Sequence, residues 1–208
     1  MLQPITLEGR FVRLEPLTVK HVPQLAAAAE GRRETFALTG VPHGESEARA
    51  YVNFALAEQA ANRAVPFATV NCSTRQVVGS TRFFDIAFWD WPAGDPNQRG
   101  IELPDALEIG HTWLSADAQR TGINTEAKLL MLTHAFETWH VHRVRLSTDA
   151  RNERSRRAIE RLGAHLDGIL RATRNAYDSG IRDSAYYSML DSEWPEAKAA
   201  LEKRLRPA

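Results

Sequence analysis

Apolar and charged positions alternate in "RFVRLEPL", residues 10–17, until Pro16 ends the run, which is the period-two pattern of a half-buried strand. Thr18 then offers an N-cap for a helix through "VKHVPQLAAAAE", although Pro23 limits the regularity of its first turns. "GESEARAYVNFALAEQAANR" is rich in helix formers and spaces Tyr51, Phe54, Ala55 and Leu56 for the apolar face of a second helix. "VPFATVN" and "QVVGSTRFFDIAF" are β-rich runs joined by "CSTR", a hairpin pattern. Residues 89–105, "WDWPAGDPNQRGIELPD", are dense in Pro, Gly, Asp and Asn and read as an excursion from the fold.

The second half is patterned more strongly. "ALEIGHTWLS" reads as a strand, and "TEAKLLMLTHAFETWH" puts Leu129, Leu132, Phe136 and Trp139 on one helical face. "RVRLSTD" is another strand, and "NERSRRAIERLGA" is a short helix with Asn152 as N-cap, Ile159 and Leu162 inward, and Gly163 as its stop. "HLDGILRATRNAYDSGIRDSAYYSML" makes two strands around a turn at "DSG". A C-terminal helix over about 195–206 opens at Pro195. The order β-α-α-β-β-β-α-β-α-β-β, followed by that helix, implies an α/β fold with a mixed sheet, and 208 residues suit a single domain over 1–208.

Charge narrows the possible partners. Lys plus Arg and Asp plus Glu stand at 26 each, so no global basic field exists to gather nucleic acid or an anionic membrane. Cys72 is alone, which excludes an internal disulfide and a cysteine metal cage and argues for a reducing compartment. The N-terminus lacks the regions of a signal peptide and no apolar run reaches membrane-spanning length, so the expected location is cytoplasmic. His111, His134, His140 and His142 fit no metal-ligand spacing, and no metal is expected.

Candidate chemistry concentrates at "AQRTGINTEAK", residues 118–128, where a strand runs into a helix. The first amides of a helix are unpaired and sit at the positive end of its dipole, so this junction suits an anion. Taken in order, "EIGHTWL", "QRTGINTEAK", "NERSRRAIERLGA" and "RDSAYYSML" resemble the GNAT superfamily of acetyl-CoA-dependent N-acyltransferases, especially its RimJ/RimL-like branch, over roughly residues 8–195. The resemblance implies a mostly antiparallel central sheet flanked by helices, and acetyl-CoA as co-substrate. It places Leu114, Gln119, Arg120, Thr121, Gly122, Ile123, Asn124 and Thr125 at the cofactor, with the loop amides around its pyrophosphate. Asn124 departs from the family's Gly or Ala and would serve as a tolerated turn residue, a phosphate contact or a helix cap. Asn152 would lie near the pantetheine arm.

By the same resemblance Glu108 would take a proton from the incoming amine, its competing role being an ion pair with a neighbouring Arg or Lys. Ser155 would hydrogen-bond or protonate the departing thiolate, with Tyr186 and Tyr187 as alternatives. Arg151, Arg154, Arg157 and Arg161 form a basic stripe that is either a solvated face or a contact to the adenosine phosphate, for which Arg151 and Arg156 are best placed. Trp89 and Trp91 are packing residues, or else wall a substrate pocket or a dimer contact. Cys72 has no evident His partner for an acyl-enzyme route. The implied acceptor is a protein or peptide N-terminal amine, or a small amine such as an antibiotic or aminoacyl compound, handled by a monomer or homodimer. A non-catalytic acyl-CoA-binding or interaction module is the rival reading.

Overall fold

The computed structural model describes residues 2–100 and 102–206; position 101, within the excursion, lies outside the described residues, as do position 1 and positions 207–208. Its eight strands are β1 Leu7–Glu8, β2 Val12–Pro16, β3 Ala64–Asn71, β4 Val77–Ala87, β5 Ala106–Leu114, β6 Arg143–Asp149, β7 His165–Asn175 and β8 Ile181–Leu190. They form one sheet in the order β1-β2-β3-β4-β5-β6-β8-β7, antiparallel except where β5 meets β6. The helices are α1 Val22–Ala29, α2 Gly44–Ala60, α3 Gly122–Thr133, α4 Glu153–Glu160 and α5 Trp194–Leu205. The expected element order holds with one addition: β1 has two residues, too few to show a period.

Local chemistry moves some boundaries. The helix expected after Thr18 begins at Val22, because residues 19–21 form a 3-10 turn and Pro23 sits in the first helical turn, where no N–H is needed. In α2 the inward face is Ala48, Val52 and Ala55, while Phe54 is 56% exposed and lies over the Arg82 guanidinium at 5.8 Å. After α3 the chain widens into a π-helical turn at His134–Thr138, keeping Ala135 and Phe136 in the core.

Two apolar layers sandwich the sheet. One contains residues of α3 and α5 with Phe83, Ile109, Val144 and Tyr187 from the strands. The other joins α1 and α2 to Ala68, Val77 and Trp113, and receives no residue from β6, β7 or β8. On that second face, the C-terminal half of the sheet is therefore left without an apolar helix layer. No helix among the described residues is long and apolar enough to cross a membrane.

Strand β5 changes phase halfway along. Ser80 pairs with Trp113 and Arg82 with Gly110, so His111 and Thr112 together oppose Thr81, a β-bulge with His111 at φ 50°. Strand side chains alternate, so the extra residue lets Glu108 and Trp113 face the α1/α2 side although they lie five positions apart.

Helix α3 is tied to the N-terminal hairpin by a buried carboxylate. Glu126 accepts the backbone N–H groups of Arg10 (2.9 Å), Phe11 (2.6 Å) and Val12 (2.8 Å). Gly9 is needed beside it, since a Cβ there would lie 2.5 Å from Glu126 Cδ. Hydrogen bonds to a charged group contribute more than neutral ones, and losing the acceptor would strand the donors. Glu126→Ala is expected to cost about 3 kcal/mol in a urea unfolding titration, with Glu126→Gln recovering part of it. A loss under about 1 kcal/mol would show that water replaces the carboxylate without penalty.

Candidate active site

Strands β5 and β6 pair only from Ala106–Arg143 to Glu108–Arg145 and then part, because β5 stays with β4 while β6 stays with β8. The gap is a cleft of about 350 Å³ with Glu108 at its apex, a size suited to a small-molecule group. Glu108 is 4% exposed. Its Oε2 accepts Arg145 Nε at 2.7 Å and its Oε1 accepts Ser147 Oγ at 2.6 Å. Arg145 also pairs with Asp85 and lies over the Tyr186 ring. Glu108 thus has both features considered from the sequence: an arginine partner and a place in the cleft wall.

The bulge supplies the next part of the wall. His111 contacts the Phe84 ring edge-on at 4.9 Å, and the Tyr51 hydroxyl donates to its carbonyl at 3.4 Å. Burial first, then the positive charges of Arg82 and Arg174, lower the His111 pKa to about 3, so the imidazole is neutral at physiological pH. On the opposite face, Lys128 of α3 reaches the bulge and donates to Thr112 Oγ1 at 2.6 Å and Thr81 Oγ1 at 3.1 Å. Burial alone lowers the Lys128 pKa to about 7. Lys128 is not among the residues that motif and spacing single out; the available signal is a charged residue four positions before core Leu132, on the buried stripe of the helix.

The far end of the cleft is the start of α3. Arg120 takes a left-handed backbone, φ 61°, and Thr121 is the N-cap, donating to the Ala118 carbonyl at 2.7 Å and accepting from Ile123 N–H at 3.3 Å. The capping role considered for Asn124 therefore belongs to Thr121, and the unusual backbone angle belongs to Arg120. Asn124 is an ordinary residue of the first helical turn with its side chain on the cleft. Leu114, Gln119, Arg120, Thr121 and Thr125 line the cleft as well. Gly122 and Ile123 do not: Ile123 enters the core, and a Cβ on Gly122 would meet the Phe11 ring at 3.2 Å, so their contribution is restricted to backbone. Gln119 is fixed, donating to the Leu114 carbonyl (3.0 Å) and Thr35 Oγ1 (3.2 Å) and accepting from Arg154 (3.1 Å).

Across the gap, Asn152 caps α4 by accepting the Ser155 N–H at 3.0 Å, and both residues line the cleft. Arg156 is not brought there. Its Nε donates to the Tyr187 hydroxyl at 3.0 Å, and that hydroxyl donates to Glu160 at 2.9 Å. Tyr187 is fully buried within the α3/α5 layer, and Tyr186 stacks on Arg145, so of the three hydroxyls weighed as a proton donor only Ser155 opens on the cleft. Arg154 and Arg161 line it in place of Arg151, which clamps Asp149 (2.8 Å) and Asp178 (2.9 Å). Trp89 and Trp91 do not wall the cleft; they pack against His142, and Asp105 accepts their N–H groups at 2.6 Å each. Among the described residues no group of three or more His, Cys, Asp or Glu is arranged to hold a metal ion.

Parallel strands that part beside a helix N-terminus, with a buried carboxylate at the apex, define the class. The family model described as the acetyltransferase (GNAT) domain matches residues 12–165, and the chain belongs to this family. It is 36% identical over 92 residues to the Bacillus subtilis (strain 168) protein YdaF, provisionally named a ribosomal N-acetyltransferase; that match spans 44% of this chain and 49%, about half, of the relative. Among solved structures, a GCN5-related N-acetyltransferase from Brucella melitensis is similar at 29% identity and TM-score 0.81, covering 99% of this chain and 87% of its own. Mycobacterium smegmatis RimJ in complex with CoA-disulfide shares the fold at 19% identity and TM-score 0.76, over 97% of this chain and 95% of its own.

Lys128 generates a pH-dependent expectation. Its folded pKa, about 7, lies below the ordinary 10.5, so the unfolded chain holds the proton more tightly between those values. The resulting destabilisation is fully present below pH 7 and fades as pH rises towards 10.5. Lys128→Met should therefore stabilise the fold at pH 6, by an amount on the order of a few kcal/mol, and much less at pH 10. Equal effects in denaturant melts at both pH values would mean that Lys128 keeps an ordinary pKa.

Proposed function

We propose that the chain transfers an acetyl group from acetyl-CoA to a primary amine by direct attack in a ternary complex, and that the acceptor is a protein or peptide N-terminal α-amine. The observation that carries this reading is the cleft itself, with a buried carboxylate at one end and the N-terminus of α3 at the other. Acetyl-CoA supplies an activated thioester carbonyl as electrophile.

The residues present suit that co-substrate. The positive dipole end at the start of α3 favours a pyrophosphate, and Arg120, Arg154 and Arg161 on the same cleft add positive charge. Beyond Glu108, the edge of β5 facing β6 carries no partner strand, so its peptide groups are open to an extended, amide-bearing arm, as they would be to an added strand. Backbone N–H groups of β5 near the bulge would polarise the thioester oxygen. Asn152 and Ser155 line the cleft, and Ser155 would serve the departing thiolate through a hydroxyl that neutral Ser can donate.

Glu108 receives the proton of the attacking amine. Each carboxylate oxygen can accept two hydrogen bonds and each has one here, leaving acceptor capacity for the amine or a water. Deprotonating a lysine costs about 3.3 kcal/mol more than deprotonating an α-amine, so a single carboxylate suits an α-amine better. The ribosomal name of the Bacillus relative supports a protein acceptor.

Thiol release from acetyl-CoA in the presence of short peptides with free N-termini tests the activity; binding of acetyl-CoA with no turnover on any peptide or small amine would favour a non-catalytic module. Glu108→Gln should lower turnover about 100-fold at pH 7, leave acetyl-CoA affinity nearly unchanged, and regain much of the loss near pH 9, where an α-amine is largely neutral unaided. A loss by the same factor at every pH would assign Glu108 to positioning alone.

A further inference from the structure

Hairpin β7–β8 sets Arg174 directly opposite Arg182. Like charges at opposed positions destabilise a sheet, and here one of them is also withdrawn from water, Arg182 being only 7% exposed. Its Nε donates to Ser184 Oγ at 3.0 Å, whereas its terminal nitrogens have no hydrogen-bond partner among the described residues. Arg174 makes no hydrogen bond or ion pair among the described residues, and both arginines line the cleft. Burial, then the charge of Arg174, weaken proton binding by Arg182.

Of the nearby carboxylates, Asp149 attracts Arg182 through space but makes no hydrogen bond to it among the described residues. Asp149 and Asp178 belong to Arg151, while Glu108 and Asp85 belong to Arg145. The pair also shares the face of Glu108, further along the cleft at the level of the end of β6. Sheet register puts Arg182, Ser184, Tyr186, Ser147 and Arg145 on the face of Glu108, the face that the α1/α2 layer leaves uncovered. Arg174 is near enough to His111 to oppose its protonation, and His111 touches Phe84, the residue paired with Glu108. An amine approaching as an ammonium ion meets repulsion from these cations unless it brings its own negative charge.

We propose that Arg174 and Arg182 form a carboxylate-binding subsite, so that the preferred acceptor is a primary amine carrying a carboxylate close by. Two sources share this chemistry: a peptide N-terminus with Asp or Glu in its first positions, and a small free amino acid. Two guanidinium groups offer the fork geometry that carboxylates accept. The inference rests on the acetyl-transfer reading for the location of the amine, and it narrows the acceptor within that reading.

Equilibrium binding to the full chain saturated with CoA tests it separately from catalysis. The probes are two peptides of equal length beginning Ser-Glu-Glu and Ser-Lys-Lys, and free glutamate. The acidic peptide or glutamate should bind at least tenfold more tightly than the basic peptide, and whichever of the two acids is tighter identifies the source. Arg174→Glu, at an exposed position, should reverse the order of the two peptides while CoA affinity stays within twofold, and Arg182→Gln should weaken the acidic ligand about tenfold. In turnover the change should appear in KM rather than kcat. Equal affinities, a preference for the basic peptide, or a parallel loss of CoA affinity in Arg174→Glu would overturn the subsite. Acidic preference without thiol release would leave the subsite standing and remove acetyl transfer.

Discussion

Everything at the cleft depends on where β5 lets go of β6. A parallel ladder continued to Leu114 would close the sheet and leave no gap. Pairing stops at Glu108 and Arg145, and the join is made there by side chains: an arginine and a serine hydroxyl hold a carboxylate that is almost entirely out of water. A buried charge without partners would be prohibitive, and a buried charge with charge-assisted bonds is directional. The apex is therefore fixed in orientation as well as in place, which an apolar contact at the same point would not achieve.

Helix α3 complements that apex through polar groups along its buried face. Asn124 and Thr125 of its first turn line the cleft, Glu126 one turn after its start holds the N-terminal hairpin, and Lys128 supports the bulge from below. These are charged positions that burial ordinarily excludes, each matched to backbone or hydroxyl groups. Both neighbours of the helix are bonded to it, so the position of its start does not depend on the surface loop alone.

The residues most legible in the sequence were those acting through local geometry. Asn152 at the cap of α4, the strand–loop–helix junction at 118–128, and the run of strands and helices follow from periodicity and capping within a few residues. Partners distant in the chain were not legible. Whether Arg156 meets the cleft or Tyr187 depends on a contact across 31 positions, and the burial of Glu126 depends on donors more than 100 positions away. The bulge escaped notice because one added residue in "EIGHTWL" leaves no compositional mark. Helical spacing alone turns Phe54 inward, but it covers Arg82, which comes from strand β4.

That single added residue makes the reading frame of β5 structural. His111 is the position by which the strand departs from simple alternation, so a deletion there would restore the regular ladder and turn one half of the strand over. Either Glu108 would be driven into the α3 layer, or Trp113 and Leu114 would exchange faces. Substitution at His111 changes one side chain; an insertion or deletion anywhere between Gly110 and Trp113 changes all of those on one side of it. Along this strand, then, tolerance to replacement and tolerance to length change are separate properties, and descendants of this chain can drift in residue identity while the count between Glu108 and Leu114 stays fixed.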